Sequence, residues 1–199
     1  MTSFLHDLRL RGTLEAIREQ QASTILDLGC GDGDLLMRLA ADRGVQRIVA
    51  VDKTGDVLAR LKSRYARAGN TVASRLEVRQ ESIARLGVEL AGFDCAVLVE
   101  VVEHMDRHEL RAAETAVFAT LRPARVIVTT PNAEFNLLLG VPPHRFRHPD
   151  HRFEWTRIEM QDWARSVAQR FGYGLATRDL AGRHPRFGGP SQMAIFTRA

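Results

Sequence analysis

The chain has 199 residues, 45% hydrophobic and 26% charged, with fifteen glycines and seven prolines, a composition that fits one globular domain (1–199) and excludes disordered and fibrous classes. A formal charge of +4 is compatible with a polyanionic partner without requiring one. Cys30 and Cys95, both in apolar stretches, imply no disulfide framework; with no apolar run near the roughly 20 residues of a membrane helix and no basic-then-apolar leader pattern, a cytoplasmic protein off the membrane is expected.

Leu5, Leu8, Leu14 and Ile17 recur among charges at helical spacing, which predicts an N-terminal amphipathic helix within residues 1–20. Thr24 to Leu28 reads as a short apolar strand running into Gly29-Cys30-Gly31-Asp32-Gly33 and then a helix pattern from Leu35 to Ala40. The alternation continues with a strand at Arg47 to Asp52, a helix from Gly55 to Ala68, and strands at Arg75 to Arg79 and Phe93 to Val99. A helix over Arg107 to Leu121 and a strand at Arg125 to Thr129 follow. Strands alternating with helices predict an α/β fold with a parallel sheet. Residues 130–155 form a proline-containing segment too long for a plain connection and are read as a functional loop. A helix opening at Trp155 or Thr156 and running to Phe171, a strand at Leu175 to Leu180, a turn rich in Gly, Pro and Arg, and a last strand at Gln192 to Thr197 complete the chain.

Glycines at the end of the first strand let a ligand approach the backbone, and the following helix start aims amide groups at it. Asp52 ends the second strand, where a carboxylate can accept hydrogen bonds from both ribose hydroxyls. A packing turn or a dinucleotide oxidoreductase would also use such residues, but Gly31 and Gly33 are two apart, not the three of the dinucleotide fingerprint. The run Asp27-Leu28-Gly29-Cys30-Gly31-Asp32-Gly33, followed by Asp52, resembles the first motif and the ribose-binding acid of class I S-adenosylmethionine-dependent methyltransferases. The resemblance implies a Rossmann-like, seven-stranded sheet whose last strand runs antiparallel. It also implies cofactor binding by Asp27, Gly29, Cys30, Gly31, Asp52 and Lys53, with Glu81 and Ser82 at the adenine ring.

Glu100 follows the fourth strand, at the carboxyl end where open parallel sheets bind ligands. If a helical turn begins there, Glu100, Glu103 and His104 stand at i, i+3 and i+4 and share a face. Two carboxylates with an imidazole suit Mg²⁺ or Mn²⁺, the nitrogen favouring Mn²⁺; surface and capping contacts are the competing reading. A similar Glu-x-x-Glu-His segment occurs in methyltransferases of ubiquinone biosynthesis, so a metal-dependent O-methyltransferase of small catechol-like molecules is the alternative function. Thr130-Pro131-Asn132-Ala133-Glu134-Phe135-Asn136 and Arg147-His148-Pro149-Asp150-His151-Arg152-Phe153-Glu154-Trp155, taken with Glu100 to His104, resemble the 3′-terminal RNA 2′-O-methyltransferases of the HUA ENHANCER family.

That resemblance implies methyl transfer from S-adenosylmethionine to the 2′-hydroxyl of the 3′-terminal nucleotide of RNA, in small-RNA protection or RNA repair. Glu100, Glu103, His104 and His151 become the metal ligands, and His148 a neighbour that contacts substrate or is solvated. The implied partners are an RNA 3′ end with a free 2′,3′-diol and an RNA-repair assembly of kinase, phosphatase and ligase. Arg145, Arg147 and Arg152 alternate with Phe146, Phe153 and Trp155, a mixture suited to phosphate contact and base stacking but equally to a core anchor under a solvated face. Arg183, His184 and Arg186 in the last turn carry the same two readings.

Overall fold

A computed structural model describes residues 4–66 and 74–199. A seven-stranded sheet runs in the order β3-β2-β1-β4-β5-β7-β6, built from β1 (Thr24–Leu28), β2 (Arg47–Asp52), β3 (Leu76–Gln80), β4 (Cys95–Val99), β5 (Arg125–Pro131), β6 (Tyr173–Leu180) and β7 (Ser191–Arg198). The first five strands pair in parallel. β7 enters antiparallel between β5 and β6, matching the expected antiparallel last strand.

The central strands carry apolar side chains on both faces because helices cover both. Ile25, Ile48, Cys95, Val97 and Ile127 pack toward α1 (Phe4–Arg18), α2 (Asp34–Ala41) and α3 (Gly55–Ala66). Leu26, Val49, Ala96, Leu98 and Val126 face α4 (Arg107–Glu114) and α5 (Arg157–Phe171) on the other side. The end of the helix expected to reach Ala68 lies outside the described residues. Both cysteines are free and buried, and among the described residues no helix is long and apolar enough to cross a membrane.

One expected helix changes character halfway. Residues Arg107–Glu114 are α-helical, but Thr115–Leu121 continue as a π-helix that ends on Arg122, whose amide donates to the Val117 carbonyl five residues back. Its Phe118 ring packs on Phe171, Tyr173 and Phe196. Apolar periodicity reads the same for both helix types, so the extra residue per turn is invisible in sequence.

Candidate active site

A cavity of about 680 Å³ opens at the carboxyl ends of β1, β2 and β4, and Gly29, Gly31, Asp52, Lys53, Glu81 and Ser82 line one wall. Asp52 organises that wall: its Oδ2 accepts from the Gly31 amide at 3.1 Å and its Oδ1 from the Thr54 amide at 2.9 Å. Gly29 adopts φ +79, and a Cβ there would stand 2.6 Å from Val101 Cγ2, so glycine lets the loop press against the segment after β4. Gly33, at φ +80, has the Leu61 side chain where a Cβ would go. Lys53 stands at the mouth, largely exposed, with Nζ 3.6 Å from Glu109 Oε1.

Two residues expected to bind cofactor are placed behind this wall, not on it. Asp27 and Cys30 are buried and absent from the cavity lining. Asp27 points off the middle of a fully covered strand; its Oδ2 has no hydrogen-bond partner, and burial, aided by the charge of Asp52, pushes its carboxyl up to about 7. Burial likewise pushes the Cys30 thiol up.

The opposite wall carries Glu100, His104 and His151. Here the helical expectation is corrected: Glu100 takes a left-handed conformation, φ 56, and only Val102–His104 form a 3₁₀ turn. The bend is held from β5, where the Thr129 carbonyl accepts from the Glu100 amide at 3.0 Å and the Thr129 hydroxyl donates to Glu100 Oε1 at 3.0 Å. Non-glycine residues in this region cost about 1–3 kcal/mol and persist only where surroundings fix them. Glu100 therefore shares no helical face with Glu103 and His104. Its second oxygen pairs with Arg9 of α1 at 3.2 Å, and Arg9 in turn donates to Ser191 of β7 at 3.1 Å.

Glu103 is fully buried. Its Oε2 accepts from the Thr130 hydroxyl at 3.1 Å, while Oε1 has no partner. Burial first, and the neighbouring Glu100 second, push its carboxyl well above the usual range. An isolated buried carboxylate is costly, so this oxygen calls for a proton or a cation.

His104, His148 and His151 bring one ligand atom each within 4.8 Å of one another. The His104 and His151 ring centres are 4.8 Å apart. The turn that closes on the His148 carbonyl through the His151 amide, 3.2 Å, places these two rings side by side. The Arg152 amide then donates to the Glu103 carbonyl at 2.7 Å, joining the loop to the 3₁₀ turn. Burial and the adjacent His151 hold His104 below the ordinary imidazole value, which favours the neutral, ligating ring. The sequence reading has His148 contact substrate or stay solvated; the three-residue His148–His151 spacing, with Pro149 and Asp150 between, is the available signal of a turn.

The loop's arginine and aromatic pattern divides. Arg147 is structural: its half-buried guanidinium donates to Asn136 Oδ1 and to the carbonyls of Asn132 and Pro190. Phe153 packs tilted on Trp155 and Trp155 stacks on Trp163, with centroids 4.4 and 4.9 Å apart, and both pack against the core. Arg152 lines the cavity, and Arg145 and Phe146 are exposed. Arg183, His184 and Arg186 lie in the β6–β7 connection, where Arg183 pairs with Asp179 and Arg186 covers Phe187.

The residues fit a divalent cation. Among the described residues three imidazoles bring one nitrogen each within 4.8 Å of one another, a nitrogen donor set suited to a divalent transition-metal ion; Glu100 and Glu103 are not gathered into that cluster, although Glu103 leaves one buried oxygen unpartnered.

A family model described as a methyltransferase domain matches residues 25–124. The fold and the glycine–Asp52 wall thus define a class I S-adenosylmethionine-dependent methyltransferase domain. The solved methyltransferase domain of a bacterial Hen1 is 37% identical, with a TM-score of 0.89 over 98% of this chain and 99% of that one. The small RNA 2′-O-methyltransferase of Xenopus tropicalis is 37% identical over 185 residues, 87% of this chain and 49% of the relative. This chain belongs to the Hen1 family of small-RNA methyltransferases. It spans about half the length of the curated relatives it matches. A chain in the structure of a Pnkp1/Rnl/Hen1 RNA repair complex shares the fold at 21% identity, with a TM-score of 0.73 over 100% of this chain and 42% of that one.

Proposed function

We propose that the protein transfers the methyl group of S-adenosylmethionine to the 2′-hydroxyl of the 3′-terminal nucleotide of RNA, with Mg²⁺ or Mn²⁺ bound. The observation that carries this reading is the single cavity whose two walls hold Asp52 and the glycine loop on one side and Glu100, His104 and His151 on the other. Asp52 accepts the cofactor ribose hydroxyls, the Gly29–Gly31 backbone lies along the methionine portion, and Glu81 and Ser82 border the adenine. Glu100, Glu103, His104 and His151 hold the cation. A divalent cation there supplies Lewis acidity, which lowers the pKa of a neighbouring hydroxyl by several units. The side chains fix the terminal ribose so that its 2′-oxygen meets the methyl carbon in line, a positioning effect worth several kcal/mol of the barrier.

A further reading of the donor set adds His148 to His104 and His151, favoured by their mutual approach within 4.8 Å; three nitrogens shift the preference from Mg²⁺ toward Mn²⁺. The RNA end presents a vicinal 2′,3′-diol, and the reading puts this protein with a kinase, phosphatase and ligase repair assembly, supported by the shared fold of a chain in the Pnkp1/Rnl/Hen1 RNA repair complex. Free, buried cysteines support a cytoplasmic setting.

Labelled S-adenosylmethionine with RNA ending in the free diol, in a 3′-phosphate or in a 2′-O-methyl group, each with Mn²⁺ or a chelator, tests the proposal. Incorporation is expected only into the diol and only with metal. Equal labelling of the 3′-phosphorylated RNA, or preferential labelling of a catechol, would sink it.

A further inference from the structure

Glu154 takes no part in lining the cofactor cavity, yet its carboxylate is the most enclosed charge in the loop that carries His151. Its side chain is 1% exposed, and its Oε1 lies 2.6 Å from His151 Nδ1, itself on a side chain 7% exposed. Two further groups reach the same carboxylate. The Arg147 amide donates to Oε1 at 2.7 Å and Asn136 Nδ2 donates to Oε2 at 2.6 Å. The Asn136 amide cannot turn over, because its Oδ1 already accepts from Arg147 Nε. Arg147 cannot leave, because its other nitrogens are spent on the carbonyls of Pro190 and Asn132.

Each Glu154 oxygen accepts from a donor fixed in place, the Arg147 amide on Oε1 and Asn136 Nδ2 on Oε2. The amide of a glutamine would turn an N–H toward one of them. A carboxylic acid is more acidic than the imidazolium it faces, so the proton between Oε1 and His151 Nδ1 belongs to the ring, which is the donor. That leaves Nε2 of the neutral ring as a lone pair.

We propose that Glu154 is a positioning residue that fixes His151 as its Nδ1–H tautomer and so turns the Nε2 lone pair toward His104 and His148. The same sense of bonding recurs, more weakly, on His104, whose Nδ1 lies 3.3 Å from the Asp150 carbonyl, a group that can only accept. On His148 the sense is reversed: the Asp150 amide donates to Nδ1 at 3.2 Å, which puts the proton of the neutral ring on Nε2, so His148 offers a lone pair there only by releasing that bond. Two Nε2 lone pairs, those of His104 and His151, remain. A carboxylate behind a ligating histidine both orients the ring and raises its basicity, and removing it costs about 10- to 100-fold in metal affinity. The tautomer assignment rests only on hydrogen bonds within this chain; its consequence for metal rests on the proposed function.

The test is nitrogen-15 NMR of histidine side chains in the metal-free full chain, with Mn²⁺ affinity measured separately by titration calorimetry. His151 is expected as the Nδ1–H tautomer in the wild type. Glu154→Gln is expected to mix or reverse the tautomer and lower Mn²⁺ affinity about 10- to 100-fold, with affinity for S-adenosylhomocysteine unchanged. Glu154→Asp, which keeps the charge, is expected to recover the tautomer. An Nε2–H ring in the wild type overturns the proposal even if no variant folds. So does a Glu154→Gln protein that retains both the tautomer and the wild-type Mn²⁺ affinity. Failure of the wild type to bind Mn²⁺, with the Nδ1–H tautomer present, would instead strike the metal reading and leave the role of Glu154 standing.

Discussion

The cavity wall around Asp52 is made from one stretch of sequence and its register partner: β1 delivers the glycine loop, and parallel pairing of Leu28 with Val51 brings Asp52 beside Gly31. The facing wall draws Glu100 and His104 from the segment after β4 and His151 from a distant loop, and behind it stand Glu103, Thr129 and Thr130 of β5 and Arg9 of the first helix. The local wall uses backbone amides and one carboxylate, so it tolerates change in most side chains. The composite wall depends on side chains that fix one another, and losing any one leaves buried charge or a misdirected ring. Single substitutions should therefore cost more there.

The largest effect is expected from His151→Ala, which should lower methyl transfer by about 10³-fold or more. Single-turnover rates check this, and a chelator should reduce the wild type comparably. If the variant keeps a tenth of the wild-type rate, the composite wall is not the reactive one. Asp52→Ala removes the proposed acceptor for the ribose and should weaken cofactor binding by about 10- to 100-fold, the value of charged hydrogen bonds, in calorimetric titration with S-adenosylhomocysteine.

Gly33→Ala brings a Cβ onto the Leu61 side chain at φ +80 and should cost about 2 kcal/mol of stability, read from denaturant midpoints, with cofactor chemistry intact in the folded fraction. A smaller effect is expected at Asp27. Its folded pKa, raised to about 7 from 3.8, means the folded state binds more protons than the unfolded one between these values. Stability from this group is full below about pH 4 and falls as pH rises toward 7. Asp27→Asn should flatten that decline and gain on the order of 1 kcal/mol at pH 8; an unchanged pH–stability profile in the ligand-free protein would contradict it.

The strand–glycine–helix unit was legible because its signals are local: apolar run, glycines, helix pattern and an acid at the next strand end. The seven strands and the antiparallel β7 followed from the family resemblance, not from periodicity, and the strand order came only from the structure. The conformation of Glu100 was not legible, because its left-handed backbone is set by Thr129 on a neighbouring strand and by the close approach of Gly29 to Val101. Arg147 carried the sequence signal of a nucleic-acid contact and turned out to be a half-buried brace, since composition does not distinguish a guanidinium aimed at phosphate from one aimed at carbonyls. Glu154 escaped notice in sequence for a related reason. Its value comes from three donors, Asn136, Arg147 and His151, that only the folded loop gathers around it.

The bond between Arg9 and Ser191 closes a span of 182 residues, against 21 for the bond from Gly31 to Asp52. In a chain emerging from the ribosome, residues 29–82 can already supply the glycine and Asp52 wall of the cavity when Ser191 is not yet made. Arg9 gains its second anchor only after β7 has threaded between β5 and β6. The loop-closure entropy of the longer span exceeds that of the shorter by only about 2 kcal/mol, so delay, not thermodynamic cost, distinguishes the two. The counter-charge of Glu100 is thus the last part of the cavity to be held in place during synthesis.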